Sequence, residues 1–148
     1  MNYNLFLEQI YNLIKDESNI IANLANTTAV LNQALDDINW VGFYIYDGKE
    51  LVLGPFQGKP ACVRIPLEKG VCGCAAYQRH TFVVHDVHQF HGHIACDCDS
   101  RSEIVVPIIT KDKELFGVLD IDSPSYTRFT QRDKEFLENV VKVLVEYM

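Results

Sequence analysis

The sequence is short of positive charge: 13 lysines and arginines face 20 aspartates and glutamates, for a formal net charge of −7. A nucleic-acid surface needs clustered Lys and Arg to neutralise phosphates, so nucleic acid is excluded as a partner. Long apolar runs are missing as well. None approaches the roughly 18 residues of a membrane span, and the N-terminal Asn2-Tyr3-Asn4 is polar, so neither a membrane partner nor a secretory signal is expected. Cysteine occurs in an odd number, five, which fits poorly with a finished extracellular disulfide framework. The expected location is a reducing cytoplasm, where a disulfide would be transient and catalytic. Internal repeats, linkers and low-complexity stretches are lacking too.

What is there is a chain of 148 residues, 48% of them apolar, enough for one domain with a real core. Tyr3, Phe6, Ile10 and Leu13 fall at helical spacing, and Ile20, Leu24, Leu31 and Leu35 form a second stripe with Ser18 as its N-cap. Strand character follows in Trp40-Val41-Gly42-Phe43-Tyr44-Ile45-Tyr46, with Asp47-Gly48 as a hairpin turn and Leu51-Val52-Leu53 returning antiparallel. Gly54-Pro55-Phe56-Gln57-Gly58 breaks that pattern, and Cys62-Val63-Arg64-Ile65 resumes as a strand. A short helix over 71–79 and a strand at Thr81-Phe82-Val83-Val84 lead into a long polar loop over 85–101, a length that in a compact domain signals function or disorder. Strands over 103–109 and 115–122 turn at Lys111-Asp112-Lys113. The last helix starts at Thr130, with Asp133 in a near capping box, and buries Phe136, Leu137, Val140, Val141 and Leu144. This order predicts an α+β fold: five or six mostly antiparallel strands, with helices from both chain ends over one face.

Within that frame the cysteines carry the first chemical signal. Cys96, in Gly92-His93-Ile94-Ala95-Cys96-Asp97, lies in the irregular polar loop, where a thiol is exposed. Cys72, in Gly70-Val71-Cys72-Gly73, offers it a resolving partner 24 residues upstream. His93 favours the thiolate of Cys96 and Asp97 opposes it, which leaves its ionisation open. Cys62, inside an apolar strand pattern, reads as structural. The pairs Cys72-x-Cys74 and Cys96-x-Cys98, with His85, His88, His91 and His93 nearby, raise a metal site, but zinc prefers wider spacing between paired ligands and no metal is expected. Asp120 and Asp122 stand two apart in a strand and share a face, and Glu103 opens another. Neighbouring acids repel unless a cation, a proton or a donor lies between them, so they mark either a solvated strand end or a pocket for an ammonium group or a proton donor. Trp40 and Tyr44, also on one strand face, are either core or the wall of a small-ligand pocket.

Six segments, Trp40-Val41-Gly42-Phe43-Tyr44, Gly54-Pro55-Phe56-Gln57-Gly58, Gly70-Val71-Cys72-Gly73, Gly92-His93-Ile94-Ala95-Cys96-Asp97, Ser102-Glu103-Ile104-Val105-Val106-Pro107 and Gly117-Val118-Leu119-Asp120-Ile121-Asp122-Ser123, together resemble the free methionine-(R)-sulfoxide reductases, which are GAF-domain enzymes. The likeness runs in order from about residue 39 to the C-terminal helix. It implies a single GAF domain over 1–148, with a central sheet of about six strands. Residue by residue, it implies Cys96 as the nucleophile, Cys72 as the resolving cysteine and Cys62 as an alternative one, which reverses the structural reading of Cys62. Glu103, Asp120 and Asp122 then match pocket carboxylates, and Trp40 and Tyr44 pocket aromatics. The implied reaction reduces free methionine-(R)-sulfoxide through a sulfenic acid and an intramolecular disulfide, which a thioredoxin-type dithiol regenerates. No bound cofactor and a homodimer are further expectations. Cys74 and Cys98 depart from the family pattern and open extra disulfide pairings. The rival reading is a non-catalytic GAF sensor for a small ligand or metal. Such sensors are usually joined to an output domain, and none is visible here.

Overall fold

The first two helices form where their apolar stripes predict them. In the computed structural model, which describes residues 2–92 and 99–148, α1 spans Tyr3–Ile14 and α2 Ile20–Ala34. The stripe of α1 ends one residue later than predicted: Leu13 is 40% exposed, and Ile14, four residues on from Ile10, is buried in its place. The N-cap of α2 is Asn19 rather than Ser18, its side chain accepting from the amide of Ala22 at 3.0 Å.

Six strands follow: β1 (Trp40–Tyr46), β2 (Glu50–Gly58), β3 (Arg64–Pro66), β4 (Phe82–Val84), β5 (Ser102–Ile109) and β6 (Leu115–Ser123). They form one sheet in the order β3-β2-β1-β6-β5-β4, with antiparallel pairing throughout. Two strand expectations need correction. β2 continues through Gly54 and Pro55, because the pairing shifts from Gly42 opposite Phe56 to Tyr44 opposite Leu53 and a bulge absorbs the proline. β3 begins only at Arg64, which leaves Cys62 in a loop over 59–63.

Between β3 and β4 lies α3 (Gly70–Gln78), which ends on Arg79 in the left-handed conformation. A single 3-10 turn, Val87–Gln89, interrupts the predicted loop after β4. The chain closes with α4 (Gln131–Glu146). Thr130 and Asp133 exchange both hydrogen bonds of a complete capping box, and the Tyr3 hydroxyl and Arg128 also bond to Asp133.

Strand alternation divides the side chains between two layers. Val41, Phe43, Ile104, Val106, Ile108, Leu119 and Ile121 face α1, α2 and α4, where Leu24, Leu31, Leu137 and Val140 complete the larger core. All five residues predicted for the buried face of α4 lie there. The opposite face carries α3, packed by Val71, Ala75 and Ala76 onto Tyr44, Val105 and Val118. Gly117 permits the close β1–β6 pairing on which this depends, since a Cβ there would lie 2.1 Å from the Tyr44 carbonyl oxygen.

Candidate active site

The side chains on the α3 face of the three central strands converge by register. Trp40 pairs with Asp122, Gly42 with Asp120 and Glu103 with Asp122, so the acids of β5 and β6 lie beside the aromatic residues of β1. The opening turn of α3 covers them. A cavity of about 40 Å³ remains, lined by Trp40, Tyr44, Cys72, Glu103, Asp120 and Asp122, with Pro60, Ala61, Lys69 and Ser100 at its other walls. Trp40 lies stacked on Phe56 at 5.2 Å between centroids. Gly42 makes this possible, because a Cβ there would sit 2.3 Å from the Phe56 Cβ and 2.7 Å from the Trp40 ring.

Charge, rather than shape, distinguishes this cavity. Glu103 is 6% exposed and Asp120 5%. Burial, followed by repulsion from Asp120 and Asp122, pushes the Glu103 carboxyl well above the usual carboxylate range. Burial raises Asp120 as well, and hydrogen bonds from Glu103 and Cys72 partly hold it down. Both directions favour a hydrogen bond between the two carboxyls over two separate charges. Asp120 Oδ1 has no hydrogen-bond partner among the described residues. Such a buried acceptor costs about 1–3 kcal/mol until a donor arrives. The Cys72 thiol, 4.0 Å from Glu103 Oε2, is also driven up, first by burial and then by the carboxylates.

Chemically, this is a buried acidic socket whose Asp120 Oδ1 has no partner among the described residues. Cys72, Glu103 and Asp120 place donor atoms within 4.8 Å of one another and are the group among the described residues that could hold a cation. The predicted Cys72-x-Cys74 pair does not converge, since Cys74 Sγ turns to the Glu68 carbonyl at 3.6 Å.

The GAF domain model matches residues 19–145. The chain is 52% identical to the free methionine-R-sulfoxide reductase of Escherichia coli over 132 residues, 89% of this chain and 79% of that protein. The free methionine-R-sulfoxide reductase of Neisseria meningitidis, solved in complex with its substrate, superposes with a TM-score of 0.93 at 47% identity, covering 98% of this chain and 87% of that one. The fRMsr of Staphylococcus aureus, also in complex with substrate, gives 0.93 at 57% identity, covering 99% and 95%. The chain belongs to the free methionine-R-sulfoxide reductases, a GAF-domain family.

Of the residues singled out in the sequence, the reductase fold brings Trp40, Tyr44, Cys72, Glu103, Asp120 and Asp122 around one cavity. Cys96 lies outside the described residues, as do His93, Asp97 and Cys98. Cys62 is disulfide-bonded, whereas Cys72 and Cys74 are free. Both aromatic walls spend their polar atoms on the loop that carries Cys62: Trp40 Nε1 donates to the Lys59 carbonyl at 3.1 Å and the Tyr44 hydroxyl to the Cys62 carbonyl at 2.8 Å. Sequence reasoning missed Lys69. Its signal was a basic residue directly before Gly70, at the start of a helix that has no side-chain cap. Pro60, Ala61 and Ser100 carry no sequence signal of their own and join the site only through the tertiary fold.

Proposed function

We propose that this chain reduces free methionine-(R)-sulfoxide to methionine with electrons from its own cysteines. The observation that carries the reading is the buried Glu103–Asp120 pair with its vacant Oδ1, set against Trp40, in a chain so similar to free methionine-R-sulfoxide reductases. A free amino acid brings an ammonium group, which supplies the missing donor and offsets the negative charge of Glu103, Asp120 and Asp122. Its carboxylate finds positive potential from Lys69 and from the first turn of α3, both of which line the cavity. A methionine inside a polypeptide has neither charge and is rejected. The polarised methyl sulfoxide lies on the face of Trp40.

In this mechanism the Cys96 thiolate attacks the sulfoxide sulfur. The proton from Glu103 passes to the oxygen, the resulting hydroxyl moves from the substrate sulfur to Cys96 Sγ as the S–O bond and the new S–S bond break, and methionine leaves with Cys96 as a sulfenic acid. A second thiol then attacks Cys96 Sγ, water departs and a disulfide remains. Of the two resolving candidates, Cys62 is favoured, because burial and the acids drive the Cys72 thiol up and away from the thiolate that must attack. A thioredoxin-type dithiol closes the cycle by exchange.

Thioredoxin-coupled turnover of the two free methionine sulfoxide epimers tests this. The R epimer alone should be consumed, and Cys96→Ser should be inactive. Binding without turnover of either epimer would instead favour a GAF sensor, and equal turnover of both would overturn the proposed selectivity.

A further inference from the structure

The loop over 59–63 that carries Cys62 joins β2 to β3 and is largely solvent-facing: Lys59, Pro60 and Val63 are exposed, and Ala61 and Cys62 half-buried. Its Val63 carbonyl accepts from the Leu53 amide at 2.9 Å, which ties the end of the loop to β2. On its inner side it receives the two bonds from the side chains of β1, Trp40 Nε1 to Lys59 and the Tyr44 hydroxyl to Cys62. Tyr44 is a rigid anchor. It is 2% exposed, its strand is paired on both sides, and its ring stacks on Trp40 at 5.9 Å. A phenylalanine would line the cavity equally well. The hydroxyl donates to the carbonyl oxygen of the disulfide cysteine itself, two bonds from that residue's Cα.

We propose that the Tyr44 hydroxyl is the positioning group for Cys62, holding its backbone so that its sulfur closes on the oxidised nucleophile. The inference rests on the reductase reading for the identity of that nucleophile. The step is the condensation of the Cys96 sulfenic acid with the Cys62 thiol: the S–S bond forms, the S–O bond breaks, and the hydroxyl leaves as water with the thiol proton. Disulfide geometry is narrow, with Cα atoms about 4.4–6.8 Å apart, so a loop that drifts by an ångström or two carries the sulfur out of reach. Trp40 secures the start of the loop in the same way, and Lys59 adds an exposed ion pair to Asp99 at 2.9 Å.

The test is Tyr44→Phe, with Trp40→Phe as a second variant that removes the other tether. After one equivalent of methionine-(R)-sulfoxide, sulfenic acid on Cys96 is trapped with dimedone and disulfide closure is followed by thiol counting. Closure in Tyr44→Phe should slow by about twofold to tenfold, the worth of one neutral hydrogen bond, and the trapped fraction should rise accordingly. In a Cys62→Ser background Tyr44→Phe should not change the trapped fraction further, a null result that a general loosening of the fold would not give. A second measurement needs no sulfoxide: the reduced protein is reoxidised with oxidised dithiothreitol, and Tyr44→Phe should again be the slower to reform the Cys62 disulfide. Wild-type closure rates in Tyr44→Phe in both measurements would overturn the proposal. Failure of the wild type to release methionine, with reoxidation still slowed in Tyr44→Phe, would remove the reductase reading and leave the positioning role standing.

Discussion

Asp120→Asn should make this protein more stable while damaging the site. The wild-type carboxylate is buried, lies beside Glu103 and Cys72, and leaves Oδ1 without a partner among the described residues. Asparagine keeps the shape, removes the charge and supplies an NH₂ donor to the Glu103 carboxyl. Relief of a buried charge beside a second acid is worth about 2 kcal/mol, or about 4–8 °C in Tm for a chain of this size. The pH dependence sharpens the test. Glu103 has a folded pKa raised above its unfolded value, so its stability contribution is full below the unfolded pKa near 4.3 and is lost as pH rises through the folded one. Each pH unit inside that window costs the wild type up to about 1.4 kcal/mol. Without the Asp120 charge the window narrows, so the gain should be larger at about pH 8 than at about pH 5. Thermal or urea unfolding at both pH values reads this directly. A variant less stable than wild type, or one with the same gain at both, would refute the electrostatic account. Methionine sulfoxide affinity, measured in parallel by calorimetry, should fall by about tenfold to a hundredfold, the value of a charge-assisted bond.

Other outcomes follow from the same geometry. Gly42→Ala drives a methyl into Phe56 and Trp40 and should cost about 1–3 kcal/mol, with a shift in the emission of Trp40, the single tryptophan of the chain. Asp133→Asn breaks the capping box and the bonds from Tyr3 and Arg128 and should destabilise by about 2 kcal/mol in urea titrations. Burial pushes the Asp133 carboxyl up, but the Tyr3, Thr130 and Arg128 contacts outweigh it and hold the group below its usual range. Its contribution is therefore present above the unfolded pKa and lost as pH falls through the folded one, so the deficit of Asp133→Asn should shrink in acid. Saturation with methionine-(R)-sulfoxide at a hundred times Kd should raise stability by about 2.7 kcal/mol in a thermal-shift series, and the same series with Asp120→Asn should show a smaller rise.

Much of this molecule was legible before its structure. The α4 stripe is strong because burial on one helix face imposes it, β1 is legible from its aromatic and branched residues, and the shared face of Asp120 and Asp122 follows from strand geometry alone. Legibility failed where tertiary contacts outweigh local signals. Pro55 reads as a breaker, yet a bulge admits it to β2. Cys62 sits among apolar residues, yet its backbone is held by the Tyr44 side chain, 18 residues away in sequence. The meeting of Glu103 with Asp120 and Cys72 depends on β5–β6 register and on the placement of α3, which no local pattern encodes. Trp40 and Tyr44 were legible as pocket walls, whereas their polar ends serving the cysteine loop became visible only in three dimensions.

The recognition side chains stand on β1, β6 and β5, each of which has a hydrogen-bonded neighbour on both sides. Their amides therefore exchange with solvent only when the whole sheet opens. The loop over 59–63, at the edge of the same cavity, lies outside the strands and should open at lower free energy. Substrate arrival should leave the deuterium uptake of the central strands unchanged and register in that loop, so the protein reads its ligand with its slowest-exchanging backbone and answers with one of its fastest.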